Sequence, residues 1–191
     1  MSVLVLMARF EAAQGLPTCD LGAAKSSAAQ DLLEQAMAQL DLAPWVPEKD
    51  PRGKPLARDG WHISKSHCRD CLAVAIARDP LGVDVEPIRL ARVAGWHRVI
   101  SKSESALLGE VDALAFTRLW TAKESALKIA GQGITELSKC RLTGPVEPDR
   151  LRLTHGQHSR LAQQHITEHH VISVCSVGSQ EVKWQWQRDR D

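Results

Sequence analysis

The chain has 191 residues and carries 24 basic against 23 acidic side chains, a formal net charge of +1. That length suits one large domain or two small ones packed together, with enough chain to bury a core. Near-neutral charge gives no global case for a nucleic-acid or membrane partner, and no apolar run approaches a membrane span. The five cysteines, odd in number and irregularly spaced, are expected as reduced thiols in a cytoplasmic protein.

Ser2 to Phe10 is apolar and reads as a strand; no basic residue precedes its apolar run, so a signal peptide is not expected. Lys25 to Leu40 sets Leu32, Leu33, Ala36, Met37 and Leu40 at helical spacing. Pro44, Pro47, Pro51 and Pro55 then forbid long regular structure. Trp61 to Lys65 is a short extended piece, and Cys71 to Arg78 a buried strand. After the Asp79-Pro80 turn, Leu81 to Glu86 alternates: Leu81, Val83 and Val85 to one face, Asp84 and Glu86 to the other. These two strands are expected to pair as a hairpin.

A helical half follows. Ser101-Lys102-Ser103-Glu104 is a capping-box signature, which gives Glu104 a local role. Val111 to Ala130 reads as a long helix stopped by Gly131 and Gly133, and it brings Lys123, Glu124 and Lys128 close together. Glu124 and Lys128 are four apart and share a face. Cys140 to Leu142, Leu151 to Leu153, Val171 to Val177 and Lys183 to Gln187 read as strands. The pattern predicts an α+β protein of two similar lobes related by a pseudo-twofold, each a small antiparallel sheet with a helix packed on it. The expected division is an N-terminal lobe over 1–80 and a C-terminal lobe over 81–191.

Asp84 and Glu86 project from one strand face, and adjacent carboxylates repel unless a cation sits between them. Oxygen-only donors point to Mg²⁺ or Mn²⁺, with Glu124 as a third ligand if its helix packs over the strand. Lys123 and Lys128 would flank such an ion. A metal with two lysines is what a pyrophosphate needs for charge neutralisation.

These residues carry a resemblance. Gly82-Val83-Asp84-Val85-Glu86, then the stretch 98–108, then Leu119 to Ile134 resemble in order the Gly-x-Asp-x-Glu, Phe-Ser-x-x-Glu and Trp-x-x-Lys-Glu-x-x-x-Lys elements of the 4′-phosphopantetheinyl transferase superfamily. Ile100 stands where Phe is usual. Gly53-Lys54-Pro55 and Ser66-His67 resemble elements of its larger, surfactin-type branch. The resemblance implies that fold, and it implies transfer of phosphopantetheine from coenzyme A to a serine of an apo acyl or peptidyl carrier protein, releasing adenosine 3′,5′-bisphosphate. It implies Mg²⁺ or Mn²⁺ on Asp84, Glu86 and Glu124, with Glu124 as base, directly or through a metal-bound water. Lys128 would serve the bridging oxygen, Lys123 a phosphate, and Lys54, Ser66 and His67 the nucleotide end held by the N-terminal lobe. A monomer with no nucleic-acid or membrane partner is expected. The chain differs from that branch where Gln30 stands about where an arginine is usual, and where Lys65 replaces an apolar residue before Ser66.

The other readings are a non-catalytic module that binds coenzyme A or a carrier protein, and a Mg²⁺-dependent nuclease. A nuclease needs a clustered basic face that the composition does not suggest. Cys68-Arg69-Asp70-Cys71 is a lone CxxC with no second pair at zinc spacing. His155, His158, His165, His169 and His170 read as lying in a polar connection and at the edge of a strand, a His-rich surface rather than a metal site, since no cysteine or carboxylate joins them at ligand spacing. Arg89, Arg92 and Arg98 are candidates to receive an acidic carrier protein.

Overall fold

The computed structural model describes residues 2–11, 18–89, 96–178 and 181–187. In chain order these form β1 (Val3–Arg9), α1 (Thr18–Ala38), β2 (His62–His67), β3 (Cys71–Ala77), β4 (Leu81–Pro87), α2 (Trp96–Val99), α3 (Lys102–Leu108) and α4 (Ala113–Ala130). A 3-10 turn (Ile134–Lys139) leads into β5 (Cys140–Leu142), β6 (Arg150–His155), β7 (His158–Ile166), β8 (His170–Ser176) and β9 (Val182–Trp186). Among the described residues the strands make two sheets, β2-β3-β1-β9 and β4-β8-β7-β6-β5. The α+β class is as expected.

Strand periodicity builds the layers. On β1, Val3, Val5 and Met7 point one way and meet Ala73 and Ala75 of β3, Val83 and Val85 of β4, and Ile172 and Val174 of β8. This is the core between the two sheets. Leu4, Leu6 and Ala8 point the other way, onto Leu32, Leu33, Ala36 and Met37 of α1. On the far face of the second sheet, Leu151, Leu153, Ala162 and Cys175 pack on Leu119, Ala122, Ala126 and Leu127 of α4. The order is therefore helix, sheet, sheet, helix. Each fully buried Leu or Met contributes about 1.5–3 kcal/mol of apolar burial to that stack.

Two expectations are corrected. The strands on either side of Asp79-Pro80 do not pair: β3 lies between β1 and β2, while β4 pairs with β8 in the other sheet. The chain uses that turn to cross between layers. The hairpin instead joins β2 to β3, closed where the Cys68 amide donates to the Cys71 carbonyl at 2.9 Å. The polar connection expected of the histidine-rich segment is the β6–β7 hairpin, with His155 opposite His158, while His170 stands at the edge of a strand as expected, opening β8. The hairpin's burial is one-sided, and the buried side is partly polar (Gln164), so its alternation does not read as apolar. The last strand, β9, pairs with β1 in the first sheet and runs parallel to it.

Candidate active site between β4 and α4

Gly82, Asp84 and Glu86 face α4, and the first of these sets the distance. A Cβ on Gly82 would stand 2.1 Å from the Ser125 carbonyl oxygen and 2.8 Å from Lys128 Cβ, so only glycine lets the helix lie this close to the strand. The helix is fixed at both ends. Asp112 caps its first turn, accepting from the Ala115 amide at 2.7 Å. Gly131, left-handed at φ 62°, closes it by donating to the Leu127 and Lys128 carbonyls.

This packing brings Asp84, Glu86, Glu124 and Lys128 together. Lys128 Nζ is 2.8 Å from Asp84 Oδ1 and also donates to the Val83 carbonyl at 2.8 Å. Ser66, on β2, donates its hydroxyl to the same Asp84 Oδ1 at 2.8 Å. Among the described residues the second oxygen of Asp84, though buried, has no hydrogen-bond partner, and neither has Glu124 Oε1. Burial, then the charges of Asp84 and Glu86, push the Glu124 carboxyl up to about 7 against the pull of Lys128. Glu86 is raised by burial and by Asp84, while Arg89, the Trp120 indole and Lys128 oppose. Buried acceptors without donors and carboxylates that repel one another are costly unless a cation completes them. The donor set, all oxygen, fits a hard divalent ion.

Beside the cluster lies a cavity of about 420 Å³ whose charged lining is wholly cationic: Lys49, Arg52, Lys54, Lys65 and Lys128. Gly131 to Gly133 form its floor beyond the helix end. Lys54 is held there, its ammonium donating to the Ile129 carbonyl and its amide to Asp50 Oδ1 at 2.9 Å. Sequence reasoning overlooked Lys49 and Arg52; their signal was the basic character of the proline-bounded loop between α1 and β2. Lys65 and Gln30, the two departures noted above, meet: Lys65 Nζ donates to Gln30 Oε1 at 3.1 Å. His67 is exposed at the end of β2 and held below its usual range by burial and by the nearby charge of Lys25.

Two residues stand elsewhere than sequence reasoning put them. Lys123 does not flank the carboxylates. It is 1% exposed, with Nζ 2.7 Å from Glu104 Oε1 and donating to the Val99 carbonyl at 2.6 Å. Glu104 closes the capping box, accepting from the Ser101 amide at 2.8 Å, and it also accepts from the Leu142 amide at 2.9 Å. Burial raises its pKa, but Lys123, Ser101 and Leu142 together outweigh that and hold it low. Ser66, 8% exposed, turns its hydroxyl to Asp84 and so supports a carboxylate rather than lining the cavity. Arg89 and Arg98 are exposed, and Arg92 lies outside the described residues.

Residues 80–175 match the family model described as the 4′-phosphopantetheinyl transferase superfamily, a span that contains β4, α4 and the whole carboxylate cluster. The chain belongs to that superfamily. It is similar to the 4′-phosphopantetheinyl transferase psf-1 of Bacillus pumilus, with 30% identity over 105 residues that cover 52% of this chain. The match spans about half of that relative, 45% of its length.

Proposed function

We propose that this chain moves the 4′-phosphopantetheine arm of coenzyme A onto a serine of an apo carrier protein and releases adenosine 3′,5′-bisphosphate, the reaction of a holo-[acyl-carrier-protein] synthase. The observation that carries the reading is the pair of buried oxygens, on Asp84 and Glu124, that lack a partner among the described residues, set against Lys128 and a cavity lined by cations. Asp84, Glu86 and Glu124 would hold Mg²⁺ or Mn²⁺, which when bound supplies charge neutralisation to a pyrophosphate.

The remaining work falls to side chains. The serine oxygen forms a bond to the β-phosphorus of coenzyme A while the bond from that phosphorus to the bridging oxygen breaks. Glu124 takes the serine proton as the general base of this scheme. Lys128 stabilises the charge left on the bridging oxygen. Lys54 with Lys49, Arg52 and Lys65 supplies the cationic wall for phosphates, and His67 with Lys25 the 3′-phosphate end. Ser66 keeps Asp84 in orientation. Lys123, locked to Glu104, has no phosphate contact in this scheme. Exposed Arg89 and Arg98 steer an acidic carrier protein. In this reading the protein works as a cytoplasmic monomer, with neither nucleic acid nor membrane as partner; among the described residues no helix is long and apolar enough to cross a membrane.

The test is chromatographic. Incubation with coenzyme A, Mg²⁺ and an apo carrier protein should release adenosine 3′,5′-bisphosphate in step with carrier, and replacing the carrier's acceptor serine by alanine should stop release. Release that continues without the serine would mean hydrolysis rather than transfer.

A further inference from the structure

The lone CxxC acquires a partner in the folded chain. The β2–β3 turn carries Cys68 and Asp70; His170 opens β8 in the other sheet. Cys68 Sγ, an oxygen of Asp70 and a ring nitrogen of His170 all lie within 4.8 Å of one another. Asp70 Oδ1 is 2.9 Å from His170 Nε2 and 3.6 Å from Cys68 Sγ. Tetrahedral zinc, with bonds of about 2.0–2.3 Å, sets neighbouring donors roughly 3.3–3.6 Å apart. The two separations from Asp70 come within a few tenths of an ångström of that, and the thiol and imidazole, within 4.8 Å of each other, would close by at most about an ångström.

The donors are also held in place. The Cys68 amide donates to the Cys71 carbonyl, and the Phe10 amide to the Asp70 carbonyl, each at 2.9 Å. The His170 amide donates to Thr167 Oγ1 at 2.9 Å. Cys68 and the His170 side chain are largely buried, at 8% and 12% exposure, while Asp70 reaches solvent at 57%. A cavity of about 730 Å³ opens onto Asp70 and His170 and gives an entry path; Arg9, Glu168, His169 and Trp186 are among the residues lining it. Donor chemistry separates this place from the oxygen-only cluster at β4: one thiol, one imidazole and one carboxylate suit zinc, not magnesium.

We propose that Cys68, Asp70 and His170 form a zinc site that fastens the tip of the β2–β3 hairpin to the start of β8, with a fourth position open to the cavity. Binding replaces the proton on Cys68 with the metal, so one proton leaves to solvent from that thiol. The site is independent of the phosphate-transfer reading and stands or falls apart from it.

The experiment uses the full chain, stripped with a chelator and titrated with zinc against a chromogenic competitor, and with cobalt(II) as a spectroscopic probe. One equivalent of zinc should bind tightly enough to resist excess Mg²⁺. The cobalt form should show tetrahedral visible bands and a thiolate-to-cobalt charge-transfer band. Cys68→Ser should abolish the charge-transfer band. His170→Ala should weaken zinc by at least about 100-fold, beyond what loss of a mere supporting contact costs. Asp70→Asn, on an exposed turn, keeps the test usable if the buried variants fail to fold, and it too should weaken zinc. His158→Ala, on the neighbouring hairpin, should leave binding unchanged. Zinc uptake that is absent in the wild type, equal in Asp70→Asn, or accompanied by a cobalt spectrum without the thiolate band would overturn the proposal.

Discussion

At the scale of single residues, the site is defined by what Asp84 and Glu124 lack. Among the described residues each has one buried oxygen without a donor, although Asp84 Oδ1 receives both Lys128 and Ser66. The cost should be visible in the pH dependence of stability. Glu124 titrates near 7 in the native state against about 4.5 for an ordinary Glu, so between those values the native state holds more protons than the unfolded one. Its contribution to stability is therefore lost as pH rises across that window. His62, His67 and His165, all lowered by burial, act with the opposite sign, so the clean measure is a difference. In chelator, the stability of wild type minus that of Glu124→Gln should fall between about pH 4.5 and about pH 7, by denaturant unfolding. Saturating Mg²⁺ should remove the fall. A difference that stays level in chelator would mean that Glu124 is not forced to carry an uncompensated charge.

At the scale of elements, the candidate site is a helix laid on a strand, and the contact depends on Gly82. Gly82→Ala drives a methyl into the Ser125 carbonyl, which is backbone and cannot swing away. It should cost about 3 kcal/mol in chemical denaturation and reduce transfer with it, because Glu124 and Lys128 ride on the displaced helix. A variant as stable and active as wild type would show that α4 can slide. The second joint is the buried pair Lys123–Glu104, which ties α4 to α3. Lys123→Ala leaves Glu104 charged and unpaired in the interior and should cost about 3–5 kcal/mol. The KM for coenzyme A should change little in the fraction that remains folded; a large rise in KM with unchanged stability would return Lys123 to the phosphates. The sequence already contained this distinction. Residues one apart on a helix point about 100° apart, so Lys123 and Glu124 cannot both face β4, whereas Glu124 and Lys128 can. The alternation of β4, the Ser101 capping box and the glycine stop of α4 were legible because each is local. The β3–β4 hairpin was misread because which sheet a strand joins is decided by distant partners, here β1 for one and β8 for the other.

At the scale of the whole molecule, a net charge of +1 conceals a strong local field. Lys49, Arg52, Lys54, Lys65 and Lys128 come from a loop, a strand and a helix, and only the fold gathers them into one cavity beside the carboxylates. No sequence window shows that pocket. The hydrogen bond between Lys65 and Gln30 likewise joins two positions that look like separate departures from the family pattern. The arrangement as a whole, a carboxylate cluster beside a cavity lined by cations, makes the proposed transfer testable in a single assay. Intact-mass spectrometry of an apo carrier protein, incubated with this protein, coenzyme A and Mg²⁺, should show the gain of one phosphopantetheine arm. That gain should disappear in chelator and fall by at least about 100-fold in rate for Asp84→Asn, the loss expected when one preorganised charge partner is removed. No mass gain across several carrier proteins, or a gain that persists undiminished in chelator or with Asp84→Asn, would contradict the account.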